Sequence, residues 1–442
     1  MIARPFPRWT VREALMQGLA LLIALLVGHL LNQWSHPSGV LLAGNALLTI
    51  TMITREALRV LENNLTFTKQ VNRQFDDKFG VDGAKIGTVV NVRKPPRYTT
   101  RTGQALDLQD AVETQVPVTL DTQAGVDLAF SSQDLALSID DFSDRFIAPA
   151  IAAVANRIDA AGMARYVDIY QAVGTPGTTP NALLTYLLAG VQLNNSAAPN
   201  DGQRSVTISP LMEATLVDAL KGLFQQASSI AEQYASGTMG RTAGFKFSMD
   251  QNVQTHTYGA YGGTPLVNGA SQTGSSIITD GWTSGASTLN RGDTFTMAGV
   301  FSINPQSRQS TNQLQNFVVT QTISDTTGNM TISISPSIIT SGSGQTVSGS
   351  PADNAAITVA GATGAVSPQG IAMHKDAFTL VTADLPLPRG VDMAARVSDK
   401  QLGISIRMVR AYDINLDRFP CRFDVLFGWS TLRPELACRV QG

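Results

Sequence analysis

Residues 138–170 read SIDDFSDRFIAPAIAAVANRIDAAGMARYVDIY and carry the strongest helical pattern of the chain. Their apolar side chains recur at alternating spacings of four and three, which places them on one face of an α-helix. These residues are Ile147, Ile151, Val154, Ile158 and Ala161. An uninterrupted helix of this length would span about 45 Å, more than a compact core requires. Two interpretations stay open: a core helix of a globular domain, or a spine that joins distant lobes of an elongated subunit.

The first part of this predicted helix carries recognisable start signals. Ser138 suits the N-cap position, and Asp140, Asp141 and Asp144 lie near the positive end of the helix dipole. Pro149 is tolerated in a first turn or at a kink, because it lacks an amide hydrogen and its ring crowds the preceding turn. The sequence therefore predicts a helix from Ser138 to about Tyr170 that is interrupted or restarts at Pro149.

Composition limits the functional classes that fit the chain. The 442 residues suit two to three domains with a sizeable core. With 32 basic and 34 acidic side chains the net charge is −2, whereas a dedicated nucleic-acid-binding protein needs a basic surplus. Only 15% of residues are charged, which indicates a surface largely covered by other subunits. Cys421 and Cys438 are the only cysteines, so a disulfide framework is not expected.

Residues 1–44 differ from the sequence that follows. Arg4, Arg8 and Arg12 precede the uncharged run at residues 14–30, ALMQGLALLIALLVGHL. A basic head and an apolar run are typical of a signal peptide, and the run is close to the lower length limit of a membrane span. The third interpretation is a translation start placed too far upstream. We favour this third one, and expect the functional protein to begin between residues 40 and 52.

The next segment is predicted to form an arm followed by an extended hairpin. Residues 53–63 are predicted to form a short amphipathic helix in an arm at residues 45–82. From this helix to Arg101 the chain carries ten basic and five acidic residues. Residues 116–120 and 126–130 alternate between polar and apolar side chains, and residues 123–125 are predicted as the turn between them. Residues 83–130 are therefore expected to form an extended β-hairpin with too little apolar mass to fold alone. A basic cluster near Pro95-Pro96 is expected to contact a neighbouring subunit: Arg93, Lys94, Arg97 and Arg101.

The remaining sequence divides by composition into three parts. Residues 179–263 alternate helix and strand patterns, with helices predicted at 180–193 and from Pro210 to about Tyr234, which favours an α/β lobe. Residues 264–370 are rich in Gly, Ser and Thr and poor in charge, and short strand patterns there predict an inserted all-β barrel or sandwich. Residues 371–442 contain further strand patterns and return the chain to the core.

The motifs of common enzyme classes are missing. The chain has no phosphate-binding P-loop, dinucleotide glycine fingerprint, nucleophile elbow or His-Glu-x-x-His zinc motif. Its four histidines have no metal-ligand spacing: His29, His36, His256 and His374. Asp140-Asp141 could form a catalytic pair, but stabilisation of a helix N-terminus explains it fully. We therefore predict no catalytic, cofactor-binding or metal-binding residues.

Two short motifs have structural explanations. Arg291-Gly292-Asp293 matches an adhesion tripeptide, but a β-turn ahead of a strand beginning at Thr294 is the simpler prediction. Asn64, Asn194 and Asn329 open glycosylation sequons, which matter only in a protein secreted by a eukaryotic route.

From residue 45 onward the chain resembles the major capsid (coat) proteins of tailed bacteriophages, in particular the branch of the phage P22 coat protein. The resemblance covers nearly the whole chain after residue 44, and it lies in an ordered set of motifs. These are NALLTITMITREALRVLENN at 45–64, GAKIG at 83–87, SIDDFSDRFIAP at 138–149, RGDTFTMAGV at 291–300, MHKDAFTLVTADL at 373–385 and Arg433-Pro434-Glu435. Residues 1–44 have no counterpart in the family.

The resemblance implies an α+β, HK97-type capsid fold with an inserted all-β barrel. Its expected parts are an arm at 45–82, an extended loop at 83–130, a peripheral domain with a spine helix at 131–178, an axial domain at 179–263, the insert at 264–370 and a returning core at 371–442. The implied function is structural: copies of the chain tile an icosahedral head as pentamers and hexamers. Implied partners are a scaffolding protein, a portal and non-specifically contacted double-stranded DNA, with assembly in the bacterial cytoplasm and no role for a membrane.

Two other classes remain as alternatives. A membrane-anchored or secreted β-rich bacterial surface protein would use residues 14–30 as its anchor and would be found in the membrane fraction with a processed N-terminus. An enzyme with a site assembled from distant residues would show turnover as a purified subunit.

Overall fold

The spine helix of the computed structural model follows the predicted apolar stripe. Helix α2 comprises Ala148–Met163 and carries Pro149 in its first turn. Ile151, Val154 and Ile158 are buried, as the pattern predicts, while Ala161 is partly exposed. A 3₁₀-helix, Ala164–Asp168, follows directly, so the α-helix ends before the predicted Tyr170.

The structure describes residues 45–73, 89–106, 108–110, 113–131, 147–220, 240–399 and 403–442. The predictions for residues 1–44, for the helix start with Asp140-Asp141 and for the third helix beyond residue 220 lie outside these ranges. The chain divides into two compact units, Met1–Ile53 and Thr54–Gly442. Helix α1, Asn45–Asn64, is longer than the predicted 53–63. The described residues form a mixed α+β structure that is mostly β, which confirms the predicted class.

A buried carboxylate on the spine helix holds the segment that follows α1. Asp159 is 1% exposed, and its side chain accepts hydrogen bonds from the backbone amides of Thr66 at 2.6 Å and Thr68 at 2.9 Å. The amide of Phe67 lies 3.3 Å from the same carboxylate, and the Thr68 hydroxyl also donates to it. Burial raises the pKa of Asp159 in spite of these donors. One side chain thereby satisfies the amides that begin the 3₁₀-helix Thr68–Gln70.

The same part of the spine helix is in close contact with an aromatic cluster. A Cβ added at Gly162 would lie 2.7 Å from the Trp429 ring and 2.9 Å from Phe67. The indole nitrogen of Trp429 donates to the carbonyl of Ile158 at 3.2 Å, and the Phe67 and Trp429 ring centroids are 5.7 Å apart. Only glycine at this position lets the helix approach the rings this closely.

A five-stranded antiparallel sheet packs beside the spine helix. Its strands are β3 (Thr122–Ser131), β18 (Phe378–Ala383), β19 (Met393–Asp399), β20 (Ile404–Arg410) and β21 (Arg418–Thr431). Strand β21 pairs with β3, β18 and β20, and β20 pairs with β19. The sheet therefore joins strands separated by almost 300 residues of sequence.

The predicted turn at residues 123–125 is wrong. Gln123, Ala124 and Gly125 lie inside β3 and pair with Leu426, Val425 and Asp424 of β21. Glycine is required here for another reason: a Cβ at Gly125 would lie 2.4 Å from the Phe423 carbonyl oxygen and 2.5 Å from the Asp424 carboxylate. The glycine that suggested a turn is therefore explained by the close approach of β21 to β3.

The hairpin is formed instead by two short strands. Strand β1 (Val89–Arg93) pairs antiparallel with β2 (Gln115–Thr119), and the segment between them contains Pro95-Pro96. Its only apolar support among the described residues is small: Val90, Val118 and Leu120 pack on Val381 of β18. The hairpin base therefore rests on its own chain.

A second sheet forms a mixed α/β lobe. Its strands are β4 (Ala172–Gly174), β5 (Arg204–Ile208), β6 (Arg241–Thr242), β7 (Phe245–Met249), β8 (Thr255–Thr257), β17 (Val366–His374) and β22 (Ala437–Gln441). Strand β22 pairs with β4 and β5 pairs with β7 in parallel, while β17 pairs antiparallel with β22, β5 and β8. Helices α3 (Leu183–Asn195) and α4 (Pro210–Leu220) match the predicted positions. The Ser209 hydroxyl accepts from the Met212 amide at 3.3 Å, as expected of an N-cap.

The strands between β8 and β17 have a core of their own. Six of them form one antiparallel sheet in the order β16-β12-β13-β15-β10-β9: Ile357–Val359, Thr294–Ile303, Ser310–Val319, Met330–Ile338, Gly274–Trp282 and Gly263–Val267. A bridge between Leu266 and Ala356 joins the two outermost strands. Two further strands, β11 (Thr288–Leu289) and β14 (Ile323–Ser324), pair with each other. Trp282, Phe295 and Phe317 belong to the enclosed apolar cluster.

Removing the Asp159 carboxylate is expected to weaken the fold strongly. Asp159→Ala leaves three backbone amides without their acceptor, which should lower the free energy of unfolding by about 2–4 kcal/mol. Urea unfolding of the unassembled subunit measures this, with Asp121→Ala, at an exposed position, as the control. An unchanged midpoint for Asp159→Ala would contradict the assigned role.

The same variant has a predicted pH dependence. Because burial raises the folded-state pKa of Asp159, ionisation costs more in the folded than in the unfolded chain. The stability contributed by this side chain is therefore fully present below the ordinary carboxyl pKa of about 3.9 and declines as pH rises through the folded-state pKa. The deficit of Asp159→Ala should accordingly narrow as pH rises.

Candidate functional surfaces

The last two residues of the Arg291-Gly292-Asp293 motif lie in a buried polar junction. The Asp293 amide donates to the Asn290 carbonyl at 3.0 Å, which confirms the predicted turn. The Asp293 side chain is 0% exposed: one oxygen lies 2.7 Å from His256 Nε2, and the other accepts from the amides of Asn290 at 2.8 Å and Gly259 at 3.1 Å. A carboxylate with this many buried partners is unavailable for adhesion.

Arg439 completes this junction from the C-terminal strand. It is fully buried, and its Nη1 donates to the Gly292 carbonyl at 2.7 Å. Its guanidinium carbon lies 5.8 Å from the centre of the Tyr166 ring, and the Tyr166 hydroxyl is 3.1 Å from His256 Nδ1. Burial lowers the pKa of Arg439, and the negative charge of nearby Asp293 partly offsets this lowering. The junction therefore ties the 3₁₀ segment after the spine helix, the root of the insert and β22 together.

Sequence reasoning missed this junction. His256 was assessed only for metal-ligand spacing, and Asp293 only as part of a tripeptide. The available signal was Arg439, the single charge in β22, whose sequence is otherwise Ala, Cys, Val and Gln. A charge in a strand of that composition indicates a buried partner elsewhere.

The other predicted candidates have local structural roles. His374 caps the 3₁₀-helix Lys375–Ala377, and its Nε2 lies 3.3 Å from Asp201. The Asn194 side chain accepts from Arg204 Nη1 at 2.8 Å. Among the residues that the structure describes, no group of His, Cys, Asp and Glu could hold a metal ion. His29, His36 and Asp140-Asp141 lie outside those residues.

The charges near Pro95-Pro96 are partly paired within the chain. Arg97 Nη2 lies 2.9 Å from Glu435, and Arg93 Nη1 lies 3.1 Å from Glu113. Burial lowers the pKa of Lys94. Arg101 is exposed, and its guanidinium donates to the Gly103 carbonyl. Arg93 and Arg97 thus have acidic partners within the chain. The contact of the cluster with a neighbouring subunit stays a prediction.

Large apolar side chains are exposed at two projecting loops. Leu106 and Leu108, between β1 and β2, are 81% and 88% exposed. Ile414 and Leu416, between β20 and β21, are 79% and 58% exposed. The second loop is well ordered, because Asp413 and Arg418 exchange backbone hydrogen bonds. Exposed apolar groups held in fixed loops are typical of protein contact surfaces.

No helix within the described ranges is both long and apolar enough to cross a membrane.

A family model described as "P22 coat protein - gene protein 5" matches residues 42–441. The chain belongs to the P22 coat protein family. Membership makes it a structural coat protein of a tailed bacteriophage, whose function is carried by surfaces that pack against further copies. No curated protein sequence matches this coat protein.

Solved phage structures resemble the coat protein over most of its length. A capsid protein of Ralstonia phage GP4 is 8% identical with a TM-score of 0.43, covering 85% of this chain and 87% of the other. A chain of Mycobacterium phage Che8 is 14% identical with a TM-score of 0.39, covering 85% and 90%. The CUS-3 coat protein I-domain is 27% identical with a TM-score of 0.18, covering 22% of this chain and 96% of that domain. Because these TM-scores are low, membership rests on the sequence match.

Asp293→Asn is expected to destabilise the coat protein by about 2–4 kcal/mol, because an amide nitrogen would replace an oxygen that faces hydrogen-bond donors. Asp280→Asn, at a partly exposed position of β10, is the matched control. Urea unfolding of both variants measures the difference. Equal midpoints would show that the junction contributes little to stability.

Both cysteines of the coat protein are expected to be unreactive. Burial raises the pKa of Cys421 to about 12 and moves that of Cys438 well above its usual range. At a pH near 8, only roughly one Cys421 in ten thousand is then a thiolate, the nucleophilic form. A thiol reagent should label neither residue in the folded subunit and both after denaturation. One rapidly labelled thiol per folded chain would contradict this.

Proposed function

We propose that this coat protein is the major capsid protein of a tailed double-stranded DNA bacteriophage or prophage, with the HK97-type fold. Copies tile an icosahedral head as pentamers and hexamers. The observation that carries the proposal is the match of residues 42–441 to the coat protein family. The described surface supports it, because its most exposed apolar groups lie on projecting loops, where a neighbouring copy can cover them.

The parts of the subunit take the roles expected of this fold. The arm comprises residues 45–82, the extended loop 83–130, the peripheral domain 131–178, the axial domain 179–263 and the returning core 371–442. The β1–β2 hairpin supports the loop assignment, since it has little apolar support and exposes Leu106 and Leu108. Strand β3 lies within the loop range by sequence, but its hydrogen bonds to β21 place it in the five-stranded sheet beside the spine helix.

The insert at residues 264–370 is a small closed barrel. Three features support this proposal: the six-stranded antiparallel order, the bridge from Leu266 to Ala356, and the hydrogen bond from the Val267 amide to the Ala355 carbonyl at 3.0 Å. The last two lie between the first and last strands of the sheet. A sheet closed in this way has no free edge to aggregate.

The remaining partners follow from assembly of a phage head in the bacterial cytoplasm. A scaffolding protein directs shell growth, a portal occupies one vertex, and DNA contacts the shell without sequence recognition. The net charge of −2 supports the last point, because a near-neutral subunit packs around DNA without binding it tightly.

Negative-stain electron microscopy of the coat protein expressed with its neighbouring phage genes tests the function. Closed shells of uniform size are expected for the natural sequence, and their absence would overturn the proposal. Leu106→Asp with Leu108→Asp should leave the subunit folded but reduce the shell yield at least tenfold, because charges replace groups that become buried. Leu387→Asp, at an exposed position away from the hairpin, should assemble normally.

A further inference from the structure

Helix α3 presents apolar side chains to solvent. Leu184, Leu187, Leu188 and Val191 are 62%, 44%, 43% and 37% exposed, and their spacing of three, four and seven puts them on one face. We call these four residues the α3 stripe. The opposite face of α3 is buried through Tyr186, Ala189 and Leu193. A helix that is apolar on both faces is expected to be covered on both.

The stretch of sequence that contains the α3 stripe carries no charge. Residues 169–200 contain no Asp, Glu, Lys, Arg or His, although 15% of the whole chain is charged. The end of α3 is held in place, because the side-chain amides of Gln192 and Asn195 donate to Gln313 at 3.3 Å and 3.2 Å. The stripe is thus a fixed, uncharged surface.

Resting on the proposed function, we propose that the α3 stripe is an interface with a second copy of the coat protein within the shell. A lipid surface does not fit, because helices that lie on membranes carry Lys and Arg along their polar face. A partner that binds through charge does not fit either, since the four side chains of the stripe are apolar and offer no charge to pair. A further copy is the partner that the coat protein must meet.

The size of the α3 stripe supports this assignment. Its exposed area is on the order of 350 Å², at the low end of the largest apolar patch on a typical monomer. A stable two-protein interface buries about 800 Å² on each partner. The stripe alone is too small to hold two free subunits together. Contacts of this size become effective when each copy makes several at once in a closed shell.

A matched pair of variants tests the need for the α3 stripe. Leu187 and Leu387 are both 44% exposed, so Leu187→Asp and Leu387→Asp add the same charge at equal exposure. Circular dichroism should show both subunits folded. Leu187→Asp should reduce the shell yield at least tenfold, whereas Leu387→Asp should assemble as the natural sequence does. Normal shells from Leu187→Asp, or equal loss in both variants, would overturn the inference.

Thiol protection tests whether a second copy covers the stripe. Because Cys421 and Cys438 are buried, Leu187→Cys introduces one accessible thiol. A maleimide should label it rapidly in the unassembled subunit and at least tenfold more slowly in shells made of the coat protein alone. Protection already present in the free subunit would assign the covering to the same chain. Protection that requires a co-expressed phage protein would assign it to that protein.

The inference would be overturned by protection in the free subunit or by protection that requires a co-expressed phage protein. Full labelling in intact shells would overturn it as well. If the natural sequence forms no shells, the proposed function itself fails, and the two failures are thereby distinguished.

Discussion

A buried carboxylate constrains this fold more than any apolar contact does. Asp293 has no exposure and uses its two oxygens on a histidine and two backbone amides, all contributed by the root of the insert. Arg439 reaches the same point from β22 and bonds the adjacent Gly292 carbonyl. Breaking a hydrogen bond to a buried charged group is costly, so these bonds favour one arrangement of the segments that make them. The insert root, the spine end and the last strand therefore take up one relative arrangement.

Asp159, near the C-terminal end of the spine helix, follows the same principle. It collects the amides after α1, as Asp293 collects those around the insert root. The apolar interior fills the volume between these points, but apolar contacts are non-directional and tolerate sliding. Hydrogen bonds to buried carboxylates are directional, and leaving one unmade is costly. Hydrogen bonds to buried carboxylates thus fix some connections between the parts of this subunit, while apolar contacts such as that of Phe67 with Trp429 form others.

The sequence pattern predicted the local elements well. The stripe on α2, the positions of α3 and α4, and the strand beginning at Thr294 all follow from periodicity and capping. The pairing of β3 with β21 could not be predicted, because no local signal links strands almost 300 residues apart. Gly125 shows the same limit: its sequence context matches a turn, and only the neighbouring strand explains it. The polar junction was missed for this reason as well, since its members come from four distant segments.

The pairing of β8 with β17 has a consequence for how such a subunit can evolve. These strands carry the chain into and out of the insert, and Thr257 lies opposite Val366. Because entry and exit are neighbours in one ladder, a module of any length could be exchanged there without redirecting the host sheet. The exchange is restricted at the polar junction, however: a replacement that lacks an acid at the position of Asp293 would leave His256 and the Gly259 amide buried without their partner. The paired strands β8 and β17 therefore allow the insert to be exchanged, while the buried polar groups at its root restrict which sequences can replace it.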